Sequence, residues 1–416
     1  MSRGRRVLVV HPDMNASGGG NVVAAYTIEA LKGGNEVTVL SWAPADLGAL
    51  NRFYGTSLSS SELETRSAPL PLRVLARLFP YLASFRYALL LRMCKKMRGE
   101  YDVMISLNNE SDFGRRGIQY VHDPPYWLSA TQGRPRLSLD LLSPRNMWSV
   151  FKGRRRPWML VAGFSHDRMR SNLTLVNSRW TGGRIEELYG MRCLTVYPPV
   201  PGSFPDSPWE ERENGFVCIG RITSWKRIER LIEIIGAVRS QIGDAHLHII
   251  GTTEDRIYRR RLLRLARGSP WLHLKENVSR EGLVGLVSRH RYGIHGMVNE
   301  PFGIAVAEMV HGGCIVFVPR NGGPKEIVGG DDRLLYETNE EAVRKILRVM
   351  KNRDEQRSLL RHLRSRKALF STESFVRRIR EIVRLFPGEI HQTPTPTPTR
   401  GQHMRKIQVN DRGAQG

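Results

Sequence analysis

Gly296-Met297-Val298-Asn299-Glu300-Pro301-Phe302-Gly303-Ile304-Ala305-Val306-Ala307-Glu308-Met309 carries two glutamates eight positions apart, and its reading decides the fold. Upstream, the alternation around Tyr292 and Ile294 predicts a short buried strand; downstream, Ile304, Ala307, Met309 and Val310 recur at helical spacing. The stretch therefore reads strand, loop, helix, with Glu300 in the loop and Glu308 inside the helix. With a helix start near Phe302, Glu308 lies about a turn and a half further along. The amides of Phe302, Gly303 and Ile304 would have no partner within that helix, which makes its start a ready anion site. His311-Gly312-Gly313-Cys314 follows, then a strand at 315–318 and Gly322-Gly323-Pro324-Lys325-Glu326.

Working outward, the same alternation repeats along the chain. Residues 7–10 read as a buried strand, and a loop with Gly18-Gly19-Gly20 precedes a helix starting near Asn21. This turn is not G-x-G-x-x-G, and no acid closes the next strand at 36–40, so a nicotinamide cofactor is not indicated. Glycines there still let backbone approach a bulky phosphate or sugar. Strands at 103–107 and 118–121 follow, the second leading into His122 at the sheet's carboxyl edge, where open α/β sheets bind ligands. As a lone histidine it reads more often as a structural one. Val196-Tyr197-Pro198-Pro199 is a stiff linker, after which a strand at 216–220 runs into Arg221-Ile222-Thr223-Ser224-Trp225-Lys226. Two cations at a strand-to-helix turn suit a diphosphate. Strands at 247–250 and 272–274, with helices at 256–267 and 281–288, complete a second unit. After a strand at 334–336, helices are expected at 340–351 and 354–367.

Composition bounds the functional classes. The chain has 416 residues, 40% hydrophobic, with 64 Lys+Arg against 40 Asp+Glu and a net charge of +24. Such a molecule attracts polyanions, phosphorylated ligands or anionic lipid. A nucleic-acid binder is disfavoured, because no sheet interleaves basic residues with stacking aromatics. The four cysteines (Cys94, Cys193, Cys218, Cys314) lie far apart, with no C-x-x-C pair and no histidine-rich spacing for zinc, so free thiols are expected and no metal site is predicted. Neither a signal-type leader nor a run of ~20 apolar residues is evident, so action inside the cell, in solution or on a membrane surface, is expected. Residues 69–99 mix apolar and basic side chains in two helices split at Pro80. That pattern fits a core-facing pair or an interfacial membrane contact, and Lys152-Gly153-Arg154-Arg155-Arg156 beside Trp158 adds to the second reading. From residue 388, Thr-Pro repeats and polar residues predict a disordered tail.

The run N-E-P-F-G-I-x-x-x-E, with G-G-P-x-E-I-V after it, resembles the E-x7-E signature of glycosyltransferase family 4. Y-V-H-x-P at 120–124, V-N-S-x-W-T at 176–181, V-Y-P-P at 196–199 and F-S-x-E-x-F at 370–375 resemble further motifs of that family. The resemblance covers about residues 5–386. It implies an α/β chain of GT-B fold: two doubly wound Rossmann-like units facing across a cleft. Residues 1–200 would form the acceptor-binding unit, 201–370 the nucleotide-sugar unit, 371–387 a helix crossing back, and 388–416 the tail. It implies a retaining, metal-independent transferase using a nucleotide-sugar substrate and no cofactor. His122 would bind a hydroxyl of the transferred sugar, Arg221 and Lys226 the donor phosphates, Glu300 the sugar and Glu308 the ribose. Gly18, Gly19, Phe302, Gly303 and Ile304 would border the donor. Within the family the motifs are most similar to its GDP-mannose-dependent α-1,2-mannosyltransferase branch, which implies a hexose, mannose favoured, passing to a lipid-linked or glycan acceptor on an anionic cytoplasmic membrane face, with no nucleic acid. The chain departs from that branch in having Pro301 where it has histidine and in showing no leading membrane anchor. A small soluble phosphorylated acceptor, such as an inositol phosphate, is the alternative within the same fold.

Overall fold

A computed structural model describes residues 4–15, 18–77, 83–124, 156–253 and 255–386. The predicted break at Pro80, residues 152–155 of the basic cluster and the tail from 388 lie outside them.

The first unit begins with β1 (Arg5–Val10), α1 (Gly19–Leu31), β2 (Asn35–Ser41), α2 (Leu47–Tyr54) and β3 (Leu63–Ser67). It continues with α3 (Leu70–Arg77), α4 (Ala83–Lys96), β4 (Val103–Ser106) and β5 (Ile118–Val121). It closes with α5 (Arg156–Ala162), α6 (His166–Arg170), β6 (Leu173–Val176), α7 (Arg179–Tyr189) and β7 (Leu194–Thr195). The strands form one seven-stranded sheet in the order β3-β2-β1-β4-β5-β6-β7, parallel throughout. Parallel strands are covered by helices on both faces, which is why Val7, Leu8, Val9 and Val10 form an unbroken apolar run with no exposed surface.

The second unit runs β8 (Glu213–Ile219), α8 (Ile228–Arg239), β9 (His246–Gly251), α9 (Arg256–Arg267), β10 (Leu272–Glu276), α10 (Arg280–Arg289) and β11 (His290–Ile294). Then come α11 (Ile304–His311), β12 (Ile315–Pro319), α12 (Pro324–Ile327), β13 (Leu335–Tyr336), α13 (Asn339–Lys351), α14 (Arg353–Arg366) and α15 (Thr372–Leu385). Its six strands, also parallel, are ordered β10-β9-β8-β11-β12-β13. In each sheet the strand order reverses beside the unit's first strand, β1 or β8. A crevice opens at the carboxyl ends of strands where the order reverses, and ligands bind there. This is the GT-B plan that the motifs imply.

Two strands, β3 and β7, were not expected from the sequence; β3 is the sheet's edge strand and alternates too weakly to stand out, and β7 has only two residues. The helix after Glu300 starts at Ile304 rather than near Phe302. Gly303 adopts φ +89°, a left-handed conformation that cannot continue a right-handed helix, so it caps α11 and sets Glu308 about one turn in. The four cysteines are free, three of them buried.

The last helix returns to the first unit. Ser371 caps α15 by accepting from the Ser374 amide, and Phe375, Ile379, Ile382 and Val383 enter the first unit's core beside Val22, Val23 and Ile28 of α1. Arg380 Nε donates to Ala30 O at 2.7 Å and Arg5 Nη1 to Val383 O at 2.8 Å.

Candidate active site

Apart from Glu308, which lies about one turn into α11, each sequence-selected residue lies just past the carboxyl end of a strand or at the start of the helix that follows. Gly18 to Gly20 make the cap and first turn of α1, after β1. His122 follows β5, Arg221 and Lys226 follow β8, and Glu300 follows β11. The two sheets bring these ends together. A side chain added at Gly19 would meet Ile304 Cγ2 at 3.6 Å, so the glycine turn of the first unit faces the start of α11 in the second. At Gly20 it would lie 3.7 Å from His11 Cε1 and 3.9 Å from His122 Nε2. The turn is thus held between two histidines and α11.

At the start of α11 the amides of Phe302, Gly303 and Ile304 have no acceptor among the described residues, as orphan amides at a helix start require. Arg221 is exposed and likewise has no charged partner among the described residues. Lys226 has one: its Nζ pairs with Glu300 Oε2, and His295 Nε2 stands 3.4 Å from the same oxygen, too poorly aligned for a full hydrogen bond. Burial alone would raise the Glu300 carboxyl, but His295 and Lys226 outweigh it and hold the group at about 2. Glu300 is therefore an anion at any working pH.

Glu308 is almost fully buried, and its Oε1 takes Arg280 Nη1. Arg280 also donates to Pro201 O through Nη2 and stacks over Phe204 with 5.6 Å to the ring centre. Glu308 Oε2 keeps no hydrogen bond among the described residues, and Tyr54 of the first unit is near enough to feel the Glu308 charge.

His122 is half-buried. Its Nε2 lies 3.1 Å from Leu107 O, so that nitrogen carries the proton and Nδ1 remains an acceptor. Burial first, then the nearby His11, push its pKa down to about 4, which keeps the ring neutral. Asn109 Oδ1 receives the amides of His122 and Asp123 at 2.8 and 2.9 Å, and Asn177 Nδ2 donates to His122 O at 2.8 Å, fixing the backbone beneath the ring.

Two sequence motifs with no assigned role meet between the units. Glu326 of G-G-P-K-E accepts from the amides of Arg179 and Trp180, the first residues of α7, at 3.0 and 2.8 Å, and from Tyr197 OH at 3.0 Å. Ser178 Oγ and Thr181 Oγ1 donate to Pro301 O. V-N-S-x-W-T is thus docked on the loop that carries Glu300.

The sequence reading missed His295, Arg280 and Glu326. His295 had a usable signal: it follows the last residue of β11 as His122 follows the last residue of β5. Glu326 stood in the G-G-P-x-E-I-V motif but without a role, and Arg280 had no signal, since its partner comes from another element.

Residues 201–366 match a family model described as glycosyl transferases group 1. Over 229 residues the chain is 28% identical to GDP-Man:Man(3)GlcNAc(2)-PP-Dol alpha-1,2-mannosyltransferase of Dictyostelium discoideum, covering 49% of this chain and 45% of that one. Over 210 residues it is 30% identical to the protein of the same name from Neurospora crassa, covering 42% and 38%. The chain thus spans less than half the length of these curated relatives. Among solved structures, HepE of Anabaena in complex with UDP and glucose aligns with TM-score 0.62 at 14% identity, over 91% of this chain and 99% of that one. Sucrose-phosphate synthase from Thermosynechococcus elongatus aligns with TM-score 0.64 at 16% identity, over 91% and 98%.

Proposed function

We propose that the chain is a retaining glycosyltransferase, because residues 201–366 match the glycosyl transferases group 1 model within a chain of GT-B fold. It moves a hexose, mannose favoured, from a nucleotide diphosphate sugar to a hydroxyl of a lipid-linked or glycan acceptor on a membrane's cytoplasmic face. The observation that carries this reading is the anion cradle: three amides at the start of α11 with no acceptor among the described residues, Arg221 and Lys226 after β8, and Ile304 of that helix start set against the first unit's glycine turn. The mannosyl donor and lipid-linked acceptor are supported by the names of the curated relatives.

Charge development gives each residue its task. Breaking the sugar–phosphate bond puts negative charge on the leaving diphosphate and positive charge on the anomeric carbon. Arg221, Lys226 and the amides of Phe302 to Ile304 are donors set in advance for the first charge. Lys226 is shared with Glu300, so an arriving diphosphate takes part of its charge and leaves Glu300 oriented by His295 for the sugar hydroxyls. The neutral His122 accepts a sugar hydroxyl proton in a hydrogen bond at Nδ1. In a retaining transfer, the acceptor attacks from the leaving-group face and its proton passes to a phosphate oxygen. Glu308 Oε2, without a hydrogen bond among the described residues, is the acceptor for the ribose hydroxyls.

The test is transfer of labelled mannose from GDP-mannose to a polyprenyl-linked oligosaccharide, preceded by a thermal-shift comparison of GDP- and UDP-sugars. Arg221→Ala removes a cation with no charged partner among the described residues, and a turnover lower by roughly two to three powers of ten is expected. Turnover is expected to survive EDTA. Absence of a shift with every nucleoside diphosphate sugar, or loss with EDTA restored by manganese, overturns the reading.

A further inference from the structure

At the amino edge of the second sheet, opposite the cleft, β8, β9 and β11 bring three histidines and a glutamate to one point. Register sets them side by side: His290 pairs with Glu213 and His246 with Gly215. His248, two residues on, shares the face of His246. The Nε2 atoms of His246 and His290 are 3.2 Å apart, and Glu213 Oε2 lies 3.2 Å from the first and 3.7 Å from the second. One ring nitrogen from each of His246, His248 and His290 falls within a span of 4.8 Å.

The far nitrogens settle the tautomers. His246 Nδ1 is 3.1 Å from Asp244 O and His290 Nδ1 is 2.6 Å from Leu286 O. A carbonyl only accepts, so each Nδ1 carries the proton, and each Nε2 of a neutral ring presents a lone pair. Two lone pairs and a carboxylate oxygen then face each other, an arrangement that repels unless a cation lies between them. A backbone carbonyl holding the distal N–H is also how metal-ligating histidines are oriented. Ligands at 2.0–2.1 Å from a tetrahedral zinc ion are about 3.3 Å from one another; His246 Nε2 stands 3.2 Å from both His290 Nε2 and Glu213 Oε2, while the 3.7 Å from Glu213 to His290 and the wider span to His248 would have to close on the ion. His248 Nδ1 is buried and has no hydrogen-bond partner among the described residues. Gly215 makes the room: a Cβ there would lie 2.2 Å from His246 Nε2 and 2.4 Å from His290 Cδ2.

We propose that Glu213, His246, His248 and His290 bind one divalent first-row transition-metal ion of the zinc class, in a structural site that ties together the starts of β8, β9 and β11. Imidazole with a single carboxylate favours zinc-like ions over magnesium or calcium, which prefer all-oxygen shells. Four protein ligands close a tetrahedral shell and leave no position for substrate, which separates this site from the chemistry of the cleft.

Full-length protein, stripped with EDTA and dialysed, is titrated with Zn2+ by calorimetry and with Co2+ by visible absorption. The expected result is one equivalent per chain, the intense visible bands of four-coordinate Co2+, and a melting temperature that Zn2+ raises and EDTA lowers. His246→Gln and His248→Gln, both at partly exposed positions, are each expected to weaken Zn2+ at least tenfold. Assayed below its melting temperature, the metal-free protein is expected to keep its transfer rate. Absence of Zn2+ binding, a six-coordinate Co2+ spectrum, or binding unchanged in both variants means that the histidines share a proton only, and overturns the proposal.

Discussion

Glu300 and Glu308 are the same side chain in two different fields. Glu300 stands between Lys226 and the buried His295, which together outweigh its burial and keep it charged. Glu308, on α11, is anchored by Arg280 of α10, which also ties it to Pro201 at the end of the linker. The reading of the cleft gives them separable effects. Glu308→Gln is expected to weaken the free nucleoside diphosphate by about 1–3 kcal/mol, because it loses a charge-assisted hydrogen bond and loosens Arg280. Glu300→Gln is expected to leave that affinity unchanged while depressing transfer and blurring discrimination between epimeric donor sugars. Titration of both variants with GDP, beside rates with GDP-mannose and GDP-glucose, decides it; equal loss of GDP affinity in the two would withdraw both roles. The sequence located both carboxylates, whose spacing along one segment is local information. It did not identify their partners: Arg280 reaches Glu308 from a separate helix, α10, and His295, though in the same loop as Glu300, meets it only through the way that loop folds.

At the scale of elements, the first turn of α7 is where the two units are joined. Helix starts favour negative charge because their amides lack intrahelical partners, and Glu326 supplies it from α12, on the other unit. Tyr197, in the linker itself, donates to the same carboxylate. Removing this group leaves two amides and a hydroxyl without their acceptor. Glu326→Ala is expected to lower stability by about 1.5–3 kcal/mol, the range for hydrogen bonds to a charged group, and to hasten proteolytic cleavage in the linker at 196–200. A denaturation midpoint and cleavage rate equal to those of the parent would show that the joint is held elsewhere, for example by α15 in the first unit's core. The motifs involved were visible in the sequence as local turns and caps; that one docks on the other was not.

For the whole molecule, the net charge of +24 and the exposed apolar residues point outward together. Leu70 and Val74, four apart on α3, are 61% and 51% exposed, and Leu160 on α5 is 83% exposed. The second helix packs on α4, where Trp158 and Phe85 lie 5.0 Å apart, centre to centre. No helix among the described residues is long and apolar enough to cross a membrane. We read the exposed residues on α3 and α5, set in a strongly basic unit, as a surface contact with anionic lipid. Co-sedimentation with phosphatidylserine vesicles is expected at low salt and to fall as salt rises, and Leu70→Asp with Val74→Asp is expected to reduce it severalfold. Equal recovery with neutral and anionic vesicles would remove the contact and favour a soluble acceptor.

What the sequence by itself determined is what short-range pattern encodes: two tandem units, the order of strands and helices, and the loops at strand ends that supply Gly18, His122, Arg221, Lys226 and Glu300. Hydrophobic periodicity reports burial over a few residues, and strand, turn and helix are written at that range. Even there, the start of α11 was set by the left-handed Gly303, one residue that periodicity does not register. The tertiary structure alone decided which charges meet. Lys226 with Glu300, Arg280 with Glu308, Glu326 with α7, and Glu213 with His246 and His290 each join separate elements. The four residues of the proposed metal site come from three strands, so the chain shows only the pair His246 and His248 and not the set. Only parallel register, which sets the starts of β8, β9 and β11 beside one another, brings their nitrogens and oxygen within reach of a single ion.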